Sequence, residues 1–282
     1  MIVYCNGDSF VAGSELGDDI LPEYPGLLDF PWDPTPGRSH KTAELWYLKS
    51  HSPDSYIGKQ RFQDQISITK TEFQRAFPNK LEQLLGTKVI NHSRPGTSMD
   101  RIVRTSISDL LTLSKTNKDI VAVIGTTGIA RNEIACANHN EIVHDQGIPS
   151  VWRCISSTYR LPHDSAELNC LLDYKLTYEK DYHHYVNFYK NVILLKDFCK
   201  INNIKLLWLA TIEDHTKVNV EKNFQHARDL KNFIEYADLK YTINMSDIAN
   251  NIKTQTVCPS GHYSELVHEE VAKQLVVKIQ QL

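Results

Sequence analysis

The sequence predicts an α/β fold, a doubly wound (flavodoxin-like) parallel sheet sandwiched by helices. The first observation is a set of apolar runs with the length of buried strands, over residues 2–6, 88–93, 119–127 and 204–211. The second is a set of segments with helical character, over residues 71–86, 98–113, 183–201, 221–236 and 264–281. Strands that alternate with helices form a parallel sheet covered on both faces.

Local signals mark several boundaries of these elements. Gly7 ends the first strand, and Gly125 is placed to end the third. Gly86 has the position of a C′ residue after the first helix, in which Pro78 predicts a kink. Ser98 is placed to cap the second helix.

Two segments do not fit the alternation. Residues 14–70 contain six prolines and little helical period, and residues 128–182 contain only short, ambiguous patterns. The sequence therefore predicts one domain over residues 1–282 with two loop-rich insertions.

Composition excludes several classes of function. The 31 basic and 34 acidic side chains are interspersed and sum to a formal charge of -3, so no single-sign field attracts nucleic-acid polymers or an anionic membrane. No apolar stretch approaches the roughly 20 residues that span a bilayer, and no signal-peptide pattern opens the sequence. Six cysteines without CxxC spacing favour reduced thiols. We expect a soluble, cytoplasmic protein; its oligomeric state stays open.

Polar residues follow three of the predicted strands. Ser9 follows the first strand, Gly96 the second and Thr127 the third. Because parallel strands present their carboxyl ends at one edge of a sheet, these residues are expected to converge there. His262 precedes the last helix, in a loop from which an imidazole can take a serine proton.

Four segments resemble the SGNH/GDSL hydrolase family, in the family's order. They are GDSF (7–10), VINHSRPGTSMDRI (89–102), VAVIGTTGIARNE (121–133) and CPSGHYSELVHEEVAKQL (258–275). Their spacing is most similar to a divergent branch often met in bacteriophage genomes, which implies a virus-encoded protein in a bacterial host.

The resemblance implies roles for individual residues. Ser9 would be the nucleophile and His262 its general base, while the N–H groups of Ser9 and Gly96 and the side chain of Thr127 would form an oxyanion hole. The implied reaction is hydrolysis of an ester, by an esterase or O-deacetylase, through an acyl-enzyme. The implied substrates are small-molecule or glycan esters, and no cofactor is needed.

The sequence departs from the family pattern at three positions. Phe10 replaces the usual Leu, Thr127 replaces the usual Asn, and Pro259 replaces the Asp that would complete a triad. The site therefore works as a Ser–His dyad, uses a carbonyl to orient the imidazole, or takes a carboxylate from elsewhere, with Asp100 and Glu133 as candidates.

Several residues have a second interpretation. Asp8 is a turn-forming residue or, with Arg101 and Arg131, part of a substrate-binding set. Thr127 is an oxyanion donor or packs at a strand end, and His268 has the position of a buried structural histidine on the last helix.

Two rival interpretations remain for the chain as a whole. One is a phosphoester or nucleotide hydrolase on the same fold, with Arg94, Arg101 and Arg131 around the site. The other is a binding module whose catalytic site has decayed. The His183–His184 pair suggests a metal site, but no metal-ligand spacing accompanies that pair, so no metal is expected.

Overall fold

A computed structural model describes most of the predicted core of the chain. The described residues are 1–14, 16, 71–94, 96–135, 152–156, 181–217, 228–252 and 262–282. Its strands are β1 (Ile2–Asn6), β2 (Val89–Asn91), β3 (Ile120–Thr126), β4 (Arg131–Ala135), β5 (Trp152–Ser156), β6 (Lys205–Ala210) and β7 (Tyr241–Asn244). Its α-helices are α1 (Ser9–Ala12), α2 (Phe77–Leu85), α3 (Met99–Leu113), α4 (Asp181–Ile201), α5 (Arg228–Ala237), α6 (Met245–Asn251) and α7 (Glu265–Gln280).

Five of the strands form one parallel sheet in the order β2-β1-β3-β6-β7. Counted along the chain without the β4–β5 hairpin, this is the 2-1-3-4-5 order of flavodoxin-like sheets. The central strand β3 is buried along its whole length, as expected of a strand that is covered on both faces. The predicted fold class is confirmed.

The helices cover the two faces of this sheet. Successive side chains of a strand point to opposite faces, so Val3 and Cys5 of β1 join one core cluster and Tyr4 joins the other. Helices α2, α6 and α7 contribute to the first cluster, and α3, α4 and α5 to the second. Both faces of the sheet are therefore removed from water.

Some predicted boundaries change. The helix over 71–86 is interrupted at Ala76, whose backbone is extended, and α2 begins again with Pro78 in its first turn. The kink expected at Pro78 is thus a break before it, because the first turn is where a missing N–H costs nothing. Gly86 ends α2 in the left-handed conformation, as predicted. Strand β3 continues to Thr126 and does not end at Gly125.

Five elements were not predicted, and the first of them is the short helix α1, which contains Ser9. The edge strand β7 and helix α6 follow each other directly near residue 245. The antiparallel pair of β4 and β5 forms a hairpin within the segment predicted as the second insertion. The remainder of both predicted insertions, and residues 221–227 of the fourth predicted helix, lie outside the described residues.

Within the described part of the chain, no helix is both long enough and apolar enough to cross a bilayer.

Candidate active site

Ser9 lies at the carboxyl end of β1, on the first turn of the short helix α1. Asp8 caps this helix, because its Oδ1 accepts a hydrogen bond of 3.1 Å from the backbone N–H of Phe10. Gly13 ends the helix in the left-handed conformation, with φ at 78°. The turn therefore holds the Ser9 backbone at the edge of the sheet where ligands bind in this fold.

The residues after β2 run beside those after β1. The N–H of His92 donates to the carbonyl of Cys5 at 2.9 Å, and the N–H of Arg94 donates to the carbonyl of Gly7 at 3.0 Å. The chain then turns at Gly96, which is exposed and has a φ of 70°.

Ser98 caps helix α3, as predicted, because its Oγ accepts from the N–H of Arg101 at 3.3 Å. The exposed Gly96 turn therefore precedes a fixed helix start, on the same edge of the sheet as Ser9.

Thr127 connects the third strand end to the Gly96 loop. It is fully buried, and its hydroxyl donates to the carbonyl of Thr97 at 3.3 Å. Nη1 of Arg131 donates to the Thr127 hydroxyl at 3.0 Å. This placement favours the alternative in which Thr127 packs at the strand end.

A buried histidine, His215, is hydrogen-bonded to the backbone of Thr127. Nε2 of His215 lies 3.1 Å from the Thr127 carbonyl oxygen, so this nitrogen carries the proton that is donated. Burial lowers the pKa of His215, and the ring packs against Phe188 with 4.4 Å between ring centroids. The His215 imidazole thus holds the third strand end in place.

Asp8 is the buried acidic residue of the site. Its carboxylate is fully buried, accepts a hydrogen bond of 3.4 Å from Thr211, and lies 4.0 Å from Nη1 of Arg131. Burial raises the pKa of Asp8, while Arg131, the hydroxyl of Thr127, the Phe10 N–H and His262 oppose that rise. The carboxylate itself has no exposed surface, which supports its role as a turn-forming residue.

His262 lies against the segment that contains Ser9. Its ring packs on the ring of Phe10 with 4.9 Å between centroids, and the next residue, Tyr263, contacts the same ring at 5.1 Å. The Tyr263 hydroxyl is hydrogen-bonded to Ser246 of α6 at 3.0 Å. The first and last segments of the chain therefore meet at one edge of the sheet.

The two carboxylates considered for the triad have other partners. Asp100 accepts hydrogen bonds from the amides of Asn187 and Asn191 on α4, and from the N–H of Glu133. The carboxylate of Glu133 binds Arg104 through two hydrogen bonds. Pro259 lies outside the described residues.

Two further predicted residues are buried. Arg101 is 7% exposed at the start of α3, and its role in substrate binding stays a prediction. His268 is buried, as predicted for a structural histidine, and its Nδ1 accepts the N–H of Phe77 at 3.1 Å.

Sequence reasoning did not find Thr211 and His215. Thr211 directly follows β6, so the rule that selected Ser9 and Thr127 would also have selected it. Nothing in the sequence marks His215, which reaches the site only because the chain after β6 folds back over Thr127.

Neither a family model nor a curated protein sequence matches the chain. The chain is similar in structure to a protein of the lipolytic G-D-S-L family from Desulfitobacterium hafniense, with 10% identity, 99% of this chain and 98% of that chain covered, and a TM-score of 0.42. It is also similar to a carbohydrate esterase, with 14% identity, 100% of this chain and 65% of that chain covered, and a TM-score of 0.44.

A third similar structure is a GDSL-like lipase from Bacteroides thetaiotaomicron, with 9% identity, 99% of this chain and 88% of that chain covered, and a TM-score of 0.40. The strand order 2-1-3-4-5 itself defines the flavodoxin-like fold.

Proposed function

We propose that this chain is a serine hydrolase of the SGNH/GDSL type that cleaves esters through an acyl-enzyme, with Ser9 as nucleophile and His262 as general base. One observation carries the proposal: the His262 ring packs on Phe10, the residue next to Ser9, at the carboxyl end of β1. Nucleophilic catalysis requires a serine and its base within hydrogen-bond reach, and a histidine that packs on the residue next to Ser9 supports that pairing.

The proposed reaction has two steps, formation of an acyl-enzyme and its hydrolysis. Oγ of Ser9 attacks the ester carbonyl carbon, its proton passes to His262, and the carbonyl electron pair moves onto oxygen. The N–H groups of Ser9 and Gly96 bind that oxyanion. Collapse expels the alcohol, which takes the proton from His262. A water molecule then repeats the sequence and releases the acid and Ser9.

The proposed substrates are small esters or O-acetyl groups on a glycan. This choice follows from the family resemblance of the four sequence segments. Phosphoesters are the competing substrate class, because one basic side chain, Arg131, lies among Asp8, Thr97 and Thr127.

The proposal is tested by hydrolysis of a p-nitrophenyl ester series by the unsubstituted protein, Ser9→Ala and His262→Ala. We expect kcat to fall by about 10⁴–10⁶ in each variant, because the two residues act as one unit. Ser14→Ala and His183→Ala are matched controls. Ser14 follows the same turn, and His183 is exposed on α4, so both should keep full activity.

Labelling with a fluorophosphonate probe gives an independent measurement. The probe should modify Ser9 in the unsubstituted protein and in both controls, and should not modify Ser9→Ala. An unsubstituted protein that is inert towards esters and probe, yet releases phosphate from nucleotides, would favour the phosphoester hydrolase. A protein inert in all three assays would favour a binding module.

A further inference from the structure

The position of Thr127 leaves the oxyanion hole without its expected side-chain donor. Thr127 is fully buried, and a hydroxyl has one proton to donate. The carbonyl of Thr97 lies 3.3 Å from that hydroxyl, and the carboxylate of Asp8 is a second acceptor for it. A proton committed to these internal acceptors does not reach a substrate.

Arg131 lies next to the Thr127 hydroxyl and brings a larger donor group, the guanidinium. Its Nη1 is 3.0 Å from the hydroxyl of Thr127, 3.5 Å from the carbonyl of Thr97 and 4.0 Å from Oδ2 of Asp8. Thr97 is the residue after Gly96, and Asp8 is the residue before Ser9. The guanidinium therefore lies beside Thr97 and Asp8. These two residues adjoin Gly96 and Ser9, whose N–H groups are the proposed backbone donors.

The chemistry of the guanidinium suits this place. It carries five N–H donors in a planar fork, so one arginine can bind several oxygen atoms at the same time. The guanidinium is a charged donor group, and hydrogen bonds from a charged donor are roughly twice as strong as neutral ones. The Arg131 side chain is 28% exposed, whereas Thr127 is fully buried, so Arg131 is the more accessible of the two.

The β4–β5 hairpin fixes the backbone position of Arg131. Arg131 is the first residue of β4, and its N–H donates to the carbonyl of Gly128 at 3.3 Å in the turn after Thr127. Two residues further along β4, Glu133 holds Arg104 of α3. The base of the side chain is thus anchored on both sides.

We propose that Arg131 replaces the missing asparagine as the third oxyanion donor, and that Thr127 positions Arg131 without touching the substrate. This inference rests on the proposed function, because the oxyanion forms only if Ser9 attacks an ester. It makes Arg131 a catalytic residue and Thr127 a positioning residue.

The test compares Arg131→Ala, Arg131→Lys and Thr127→Val in p-nitrophenyl ester hydrolysis. We expect Arg131→Ala to lose about 10²–10³ in kcat with KM little changed, since the interaction forms in the transition state. Arg131→Lys should lose less, because it keeps the charge but not the planar fork. Thr127→Val should lose less than Arg131→Ala.

Chemical rescue separates catalysis from structure. Millimolar guanidinium chloride, far below denaturing concentrations, should restore part of kcat in Arg131→Ala and leave Thr127→Val unchanged. Sodium chloride at the same ionic strength is the control. Urea unfolding of each variant shows whether a loss of activity reflects a loss of fold.

Each outcome decides the inference. A Thr127→Val defect larger than that of Arg131→Ala, or no rescue of a folded Arg131→Ala, would overturn it and leave the Ser9–His262 proposal intact. An unsubstituted protein that neither hydrolyses esters nor reacts with the fluorophosphonate probe would overturn both. Full activity of Arg131→Ala would overturn the inference alone.

Discussion

At the residue scale, Gly7 and Gly125 determine how closely the ends of β1 and β3 approach the turn that carries Ser9. A Cβ atom on Gly7 would lie 2.3 Å from Cγ2 of Val11, and one on Gly125 would lie 2.4 Å from the same atom. Val11 is fully buried and its β-branched side chain is stiff, so it has little freedom to move away. Glycine at both positions is a requirement of close packing.

We therefore expect Gly7→Ala to destabilise the protein by about 1–3 kcal/mol, the usual cost of overpacking a core. Because Gly7 lies two residues before Ser9, the displaced turn should also reduce ester hydrolysis. The measurement is urea unfolding of Gly7→Ala, Val11→Ala and the double variant. Val11→Ala removes the atom at 2.3 Å but keeps Cβ of Val11, which would lie 2.9 Å from the added methyl group. The clash is thus relieved in part, so the two substitutions should couple favourably by about 0.5–3 kcal/mol. Strictly additive effects would contradict this account.

At the scale of elements, the β4–β5 hairpin is joined to α3 by one ion pair. Nε and Nη2 of Arg104 bind the two carboxylate oxygens of Glu133 at 2.9 and 2.8 Å. The Glu133 side chain is 3% exposed, whereas that of Arg104 is 39% exposed. Asp100 reinforces the junction by accepting the N–H of Glu133 at 3.0 Å. The hairpin that carries Arg131 thus has a fixed position against the helix.

The unequal burial predicts unequal effects of substitution. Arg104→Met leaves a buried carboxylate without its partner, so we expect a loss of about 2–3 kcal/mol in the free energy of unfolding. Glu133→Gln leaves an arginine that water can reach, so the loss should be about 1 kcal/mol. Urea unfolding of both variants and of the double variant measures this. A larger loss for Glu133→Gln would contradict the expected order.

At the scale of the whole molecule, His268 joins α7 to the start of α2. Its Nδ1 accepts the N–H of Phe77, which requires a neutral ring. Burial, with smaller effects of Lys80 and His262, lowers the pKa of His268 to about 3. The ring thus stays unprotonated in the folded protein at pH values where an unfolded histidine, with a pKa near 6.5, takes up a proton.

The free energy of unfolding should therefore fall as the pH falls from about 6.5 towards 3, because the unfolded chain then binds more protons. One histidine of this kind contributes about 3 kcal/mol of loss between pH 7 and pH 4. His215, with its lowered pKa, acts in the same direction. The raised pKa of Asp8 acts in the opposite direction.

The comparison with His268→Asn isolates the contribution of His268. Asparagine keeps an acceptor near the Nδ1 position but does not titrate, so its unfolding free energy should depend less steeply on pH. Urea unfolding of both proteins between pH 7 and pH 4.5 gives the two slopes. Equal slopes would show that His268 is not the source, since the contributions of His215 and Asp8 are common to both proteins.

The sequence was sufficient to predict secondary-structure elements and their ends where a local pattern and the tertiary fold agree. Strand β1, the Ser98 cap of α3, the Gly86 end of α2 and the amphipathic helix α7 were all predicted. Each depends on residues within one or two turns of each other. The same local reasoning missed β7, because a four-residue edge strand followed directly by a helix has no period of its own.

The hairpin was missed for a different reason. Its strands pair Arg131 with Ser156 across an intervening segment, and only pairing in three dimensions defines the register. Neither strand carries an alternation long enough to be distinguished from a loop.

The sequence by itself determined four of the five strands of the parallel sheet and its longer helices. It also led to the expectation that Ser9, Gly96 and Thr127 meet at one edge, because parallel strands place their carboxyl ends together. Tertiary structure alone decided that Thr127 is closed off from solvent and that Arg131 lies beside it. Burial and hydrogen-bond partners depend on residues from distant parts of the chain, such as the Thr97 carbonyl and Asp8, and no local pattern encodes those distances.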